Sequence, residues 1–128
     1  MISFNKDSVI NLTPIGIKQV HRDIGHLLTR GEGIVMAFRT VRDQLIFTNK
    51  RIISVDVQGI TGKRKSFASL PYSKVQFFTI QTPGLAELVP DSELELTFTH
   101  GITMTFEFSG NVNIGEIGRI ISEHVLAS

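Results

Sequence analysis

Through the middle of this chain apolar and polar residues alternate one by one; at its two ends they recur every three or four positions. Alternation is the signature of a strand with one buried face, and the longer spacing is that of a helix. The segments 33–39, 43–49, 51–57, 65–72 and 74–82 read as strands separated by short turns. In the first of these the apolar run is nearly continuous, which predicts cover on both faces. The hairpin 92–108 has the cleanest pattern, with Leu94, Leu96 and Phe98 answered by Ile102, Met104, Phe106 and Phe108. A two-residue turn would set these apolar positions against polar ones. A three-residue loop, Thr99-His100-Gly101, sets Phe98 against Ile102, Leu96 against Met104 and Leu94 against Phe106, with Gly101 in the left-handed position.

Near the start, Thr13-Pro14 offers a cap and a first helical proline, and Ile17, Val20, Ile24, Leu27 and Leu28 follow at helical spacing. A helix over 14–29 is predicted, with Lys18, Arg22 and Asp23 on its other face and Gly31 past its end. Residues 1–12 carry little periodic signal. At the other end, Ile114, Ile117, Ile120, Ile121, His124 and Val125 make the stripe of a helix over 113–126, suited to closing the open end of a curved sheet. The segment 82–92 breaks the alternation with Pro83-Gly84 and Pro90-Asp91 around Leu85, Leu88 and Val89, a loop apolar enough to need cover from the domain or from a partner. These readings predict one domain, 1–128, with an N-terminal helical extension (1–31) and a β-rich body with its capping helix (32–128). The expected core is Phe38, Leu45, Phe47, Ile53, Val55, Phe67, Phe78, Ile80, Leu94, Leu96, Phe98, Met104, Phe106, Ile117 and Ile121.

Composition narrows the function. A chain of 128 residues with 41% hydrophobic and 20% charged residues folds as one domain around a single core. Its net charge of +1 gives no global attraction to nucleic acid, and its nine Phe fall mostly at core positions. There are no cysteines, so disulfide and thiolate chemistry are excluded and a reducing compartment fits. No run reaches the roughly 20 apolar residues that span a bilayer, and the start lacks the pattern of a signal peptide. The expected location is cytoplasmic, with peripheral contact at the inner membrane face as the alternative.

Two basic turns are the candidate chemistry. In a meander, alternate hairpin turns share one end, which would gather Arg39, Arg42, Lys63, Arg64 and Lys65, with backbone N–H groups of Gly59 and Gly62 as a nest for an anion. Each such cation is worth about 1 kcal/mol toward an anionic membrane. Cationic turns also keep strand edges soluble, and Asp43 and Asp56 are placed to neutralise part of the charge. Asn49-Lys50-Arg51 falls at the other end. There Asn49 suits a left-handed turn, and Arg51 suits an ion pair with a carboxylate on a neighbouring strand or subunit. No metal site is expected, because His21 and His26 are five apart and His100 and His124 lie elsewhere. Asp91, Glu93 and Glu95 share the wet face of a strand. Gly31-Glu32-Gly33 precedes a strand rather than a helix and so fails as a dinucleotide signature. With no nucleophile elbow and no acid–base constellation, neither an enzyme nor a cofactor is expected.

The wording of the middle stretch is more specific than its layout. Phe47-Thr48-Asn49-Lys50-Arg51 leads into an apolar strand, then Gly59-Ile60-Thr61-Gly62-Lys63, a strand closing on Pro71-Tyr72, and Asp91-Ser92-Glu93-Leu94-Glu95-Leu96. In this it resembles the bacterial pleckstrin-homology family over most of the chain. The resemblance implies an α+β, mainly β fold: a PH-like barrel of about seven antiparallel strands capped by the C-terminal helix, with the N-terminal helix added. It also implies a non-catalytic protein of a family that assembles into homo-oligomeric rings or domes and has no settled ligand. Two departures from eukaryotic PH domains count against an inositol-phosphate cradle: there is no Trp, and the loop at Thr40-Val41 is short. The leading expectation is self-association through strand edges, through the loop of Leu85, Leu88 and Val89, and through an N-terminal helix face bearing Ile24 and Leu28. The alternative is an adaptor for anionic headgroups at the five gathered cations. An unknown protein partner is allowed by either.

Overall fold

The computed structural model describes residues 8–82, 91–110 and 112–127. It comprises β1 (Ser8–Ile15), β2 (Ile34–Arg39), β3 (Gln44–Thr48), β4 (Arg51–Gln58), β5 (Arg64–Pro71), β6 (Val75–Gln81), β7 (Ser92–Phe98), β8 (Thr103–Phe108) and a helix α1 (Ile114–Val125). All eight strands form one sheet in the order β5-β4-β3-β2-β1-β8-β7-β6. The edges are therefore β5 and β6, consecutive in sequence and joined by a single 3-10 turn, Tyr72–Lys74.

The expected seven strands become eight, and the expected N-terminal helix is absent. The added strand is β1, which takes in only Pro14 and Ile15 of that helix and otherwise the residues before it; it pairs antiparallel with β2 (Thr13 with Arg39, Pro14 with Phe38) and parallel with β8 (Val9 with Phe106, Leu12 with Phe108). Asn11 sits at φ 61 within β1, at the register shift between Val9 and Leu12. This bulge puts two inward residues three apart and hides the strand's alternation. Beyond β1 come two 3-10 turns, Ile17–Gln19 and Arg22–His26, broken by extended backbone at Val20 and His21.

The sheet curls until its inner face meets itself. Phe38 of β2 touches both Phe47 of β3 and Phe108 of β8, with ring centroids 5.8 and 4.8 Å apart. Around them lie Leu45, Ile52, Leu94, Leu96, Met104 and Phe106, with Ile117 and Ile121 of α1 closing the shell. Asn113 caps α1, its Oδ1 accepting from Glu116 N at 3.1 Å. Gly118 lets the helix press on β6, since a Cβ there would overlap Ile80 Cδ1. The hairpin register is the predicted one: Leu96 faces Met104, Leu94 faces Phe106, and Phe98 N donates to Ile102 O across a loop in which Gly101 has φ 84.

The single core predicted from sequence is in fact two. Ile53 and Val55 point to the outer face of β4, where Ala37 and Ile46 join them and Ile24 covers the cluster at 0% exposure. Ile15, Val20, Leu28 and Phe67 complete it. The N-terminal segment thus spends Ile15, Val20, Ile24 and Leu28 on its own sheet, while Ile17 and Leu27 stay exposed.

Candidate interaction surface

The two basic turns fold to different ends and into different states. Asn49 does not take the left-handed conformation, since Asn11 is the only non-glycine with positive φ among the described residues. Its side chain acts instead, with Oδ1 accepting from Gly33 N at 2.9 Å and Nδ2 donating to Gly31 O at 3.0 Å. Lys50 Nζ donates to Arg30 O at 2.8 Å. Arg51 places Nε 2.9 Å from Glu32 Oε2 and Nη2 3.0 Å from Glu32 Oε1, and it also reaches Leu27 O at 2.7 Å and Ser69 Oγ at 3.1 Å. The Glu32 side chain has no exposed surface. Burial alone would raise its pKa, but bonds from Arg51, Thr48 Oγ1 (2.6 Å) and Thr29 N outweigh it and hold the carboxyl at about 2. The carboxylate partner expected for Arg51 is thus in its own chain, on the segment before β2. Tyr72 adds a further tie, its hydroxyl donating to Thr48 O at 2.8 Å while its ring stacks on His124 of α1 at 4.8 Å. Burial, followed by the charge of Glu32, raises its phenol pKa.

At the other end the β2–β3 and β4–β5 turns lie side by side. Arg42 Nη2 donates to Gly59 O, and Asp43 Oδ1 accepts from Val57 N at 2.9 Å. Arg39, Arg42, Lys63 and Arg64 are exposed around them. Lys65 is half-buried on the outer face of β5, with Nζ 3.7 Å from Asp23 Oδ2. Asp23 rather than Asp43 or Asp56 is therefore its counter-ion; Asp56 is buried and accepts from Gln58 Nε2 at 3.2 Å. The expected nest is partly used up, because Gly62 N donates to Gly59 O within the turn at 3.3 Å. Sequence reasoning passed over two residues here. Val41 and Ile60, one on each tip, are fully exposed. An aliphatic residue inside a basic turn, where Gly, Asn or Asp is usual, was the available signal.

The acidic strip is a separate feature. Glu93 lies opposite Glu107, and a cleft of about 160 Å³ lined by Asp91, Ser92, Glu93 and Glu107 opens beside them. Burial, then the charges of Asp91 and Glu93, raise the Glu107 pKa. Among the described residues no group of His, Asp and Glu has the geometry to hold a metal ion. Of the residues expected at a self-association surface, Ile24 is fully buried within its own chain and Leu28 packs beside it; Leu85, Leu88 and Val89 lie outside the described residues. His100 is exposed at its loop tip, as predicted. No helix among the described residues is long and apolar enough to cross a membrane.

The model of the bacterial PH domain matches residues 3–125. The uncharacterized protein YjqA of Bacillus subtilis is 42% identical over 86 residues, covering 67% of each chain. YozO of the same organism is 34% identical over 99 residues, covering 77% of this chain and 83% of the relative. A crystal structure of a DUF1696 family protein with a pleckstrin-homology domain, from Shewanella loihica, superposes with a TM-score of 0.77 at 28% identity, covering 91% of this chain and 99% of that one.

Proposed function

The chain belongs to the bacterial PH domain family, and on that footing we propose that it is a non-catalytic interaction module that associates with copies of itself through the free edge of its sheet. The observation that carries this reading is the contrast between the two edges. β5 begins with Arg64-Lys65 and ends on Pro71, devices that discourage further pairing. β6, Val-Gln-Phe-Phe-Thr-Ile-Gln, carries neither charge nor proline, its one irregularity being the register shift against β7 between Val75 and Phe77, and Phe77 stands 53% exposed on it. An apolar edge strand without charge or proline invites strand addition from another chain. Ile24 and Leu28 of the N-terminal segment add nothing to this surface, since they already pack on the outer face of β2–β5.

The test is the mass in solution at tens of micromolar, by light scattering. A multiple of 14.2 kDa that falls toward one subunit in Phe77→Glu supports the reading. A monomeric parent protein, or an assembly indifferent to Phe77→Glu, contradicts it.

A second reading has its own support. The fold brings the tips carrying Arg42 and Lys63 together without giving Arg39, Lys63 or Arg64 a carboxylate partner among the described residues. Such a corner suits an anionic surface. Vesicle binding that survives charge reversal of Lys63 and Arg64 rules this out.

A further inference from the structure

Both hairpin tips carry the same device. In the turn 40–43, Thr40 N donates to Asp43 O at 2.9 Å and Asp43 N to Thr40 Oγ1 at 3.1 Å, leaving Val41 and Arg42 as its central pair. In the turn 59–62, Gly62 N closes on Gly59 O, leaving Ile60 and Thr61. The residue after the first turn position is aliphatic in each, and each is fully exposed: Val41 at 100% and Ile60 at 105%. Among the described residues every other large apolar side chain is at most 78% exposed. Scattered apolar side chains are ordinary on a protein surface. Two on adjacent tips, ringed by cations, are a pattern.

We propose that this corner inserts into membranes: Val41 and Ile60 enter the interfacial layer of an anionic bilayer while Arg39, Arg42, Lys63 and Arg64 lie against its headgroup phosphates. The inference rests on the second reading above and adds to it the apolar contact that decides between a lipid surface and a soluble anion. Three observations favour lipid. The tips are convex and tiny beside the roughly 800 Å² that each partner buries in a stable protein complex. Hydrocarbon accepts such prongs without needing a matching shape. The only carboxylate within either tip, Asp43, is 7% exposed and already accepts from Val57 N, so the advancing surface is cationic and apolar. Finally, the Arg42–Gly59 and Asp43–Val57 bonds tie the turns together, so both prongs arrive as one rigid unit. A nucleic-acid surface would be met by aromatic platforms, which neither turn has.

The energetics set what is measured. Burying one aliphatic side chain in the acyl boundary raises partition about tenfold. Each cation near an anionic surface adds about fivefold, and only this part fades with salt. The chain has no Trp, so Ile60→Trp supplies a unique reporter. It is titrated with vesicles of phosphatidylserine and phosphatidylcholine, and with phosphatidylcholine alone. A blue shift with the mixed vesicles only, together with about a tenfold loss of co-sedimentation in each of Val41→Ser and Ile60→Ser, is the expected result. Leu126→Ser, at the 78% exposed end of α1, leaves partition unchanged. Thermal melts matching the parent show that the variants fold. Unshifted emission with binding that persists at low salt and vanishes in the Lys63→Glu, Arg64→Glu double variant overturns insertion and leaves the electrostatic corner standing. No co-sedimentation with the mixed vesicles overturns both. Loss of self-association in the tip variants, with vesicle binding intact, assigns the prongs to a protein contact and overturns the proposal.

Discussion

Asn49-Lys50-Arg51 and Gly59 through Lys65 read alike in one dimension, as basic turns between apolar strands. In three dimensions they are opposites. The first is consumed by its own fold: the Asn49 side chain holds two glycine backbones, and Arg51 spends its guanidinium on Glu32, Leu27 and Ser69. The second closes its turn with one backbone bond, Gly62 N to Gly59 O, and leaves Lys63 and Arg64 facing water. Charge in a turn therefore does not mark a binding site; charge left unmatched by the fold is the better guide. A distant carboxylate makes the difference. Glu32 lies 19 positions from Arg51, flanked by glycines that raise no local signal.

Breaking the matched turn carries the largest expected effect. Glu32→Ala leaves the partly buried guanidinium of Arg51 without its counter-ion, and costs about 3–5 kcal/mol in urea unfolding. Changing pH probes the same pair without mutation. The Glu32 pKa is lowered from 4.5 to about 2 by folding, so its stabilisation is fully present above about pH 4.5 and is lost as pH falls toward 2. Up to roughly 3 kcal/mol disappears over that window, and Glu32→Gln flattens that part of the stability curve. Tyr72→Phe removes one buried hydrogen bond to Thr48 O and costs about 1 kcal/mol, seen as a lower urea midpoint with an unchanged slope.

How much of this was legible in the chain varies with distance along it. The β7–β8 hairpin was, register included, because strict alternation and a glycine in the loop act within a few residues. α1 was legible for the same reason, its apolar stripe being local. The N-terminal helix was misread. Val20, Ile24 and Leu28 recur every four residues because one irregular segment presses them onto the outer face of β2–β5, and Gly25 and the extended His21 keep it from forming an α-helix. β1 was missed since the Asn11 bulge breaks its alternation. The second core followed from neither pattern, because a strand buried on both faces shows which residues are apolar but not what covers each side. At the candidate surface, the gathering of two turns was legible from the meander. The consumption of Arg51 depended on Glu32, 19 positions away, whereas the exposure of Val41 and Ile60 had a local signal, an aliphatic residue inside a basic turn, that went unread.

One side-by-side measurement bears on the whole contrast: the unfolding free energies, by urea titration at neutral pH, of Arg51→Ala and Arg64→Ala. Arg51→Ala is expected to lose several kcal/mol, about 3–5 as for its partner, and Arg64→Ala to stay within about 0.5 kcal/mol of the parent protein. Equal losses in the two variants, or a loss confined to Arg64→Ala, would show that the fold makes no such distinction between its basic turns.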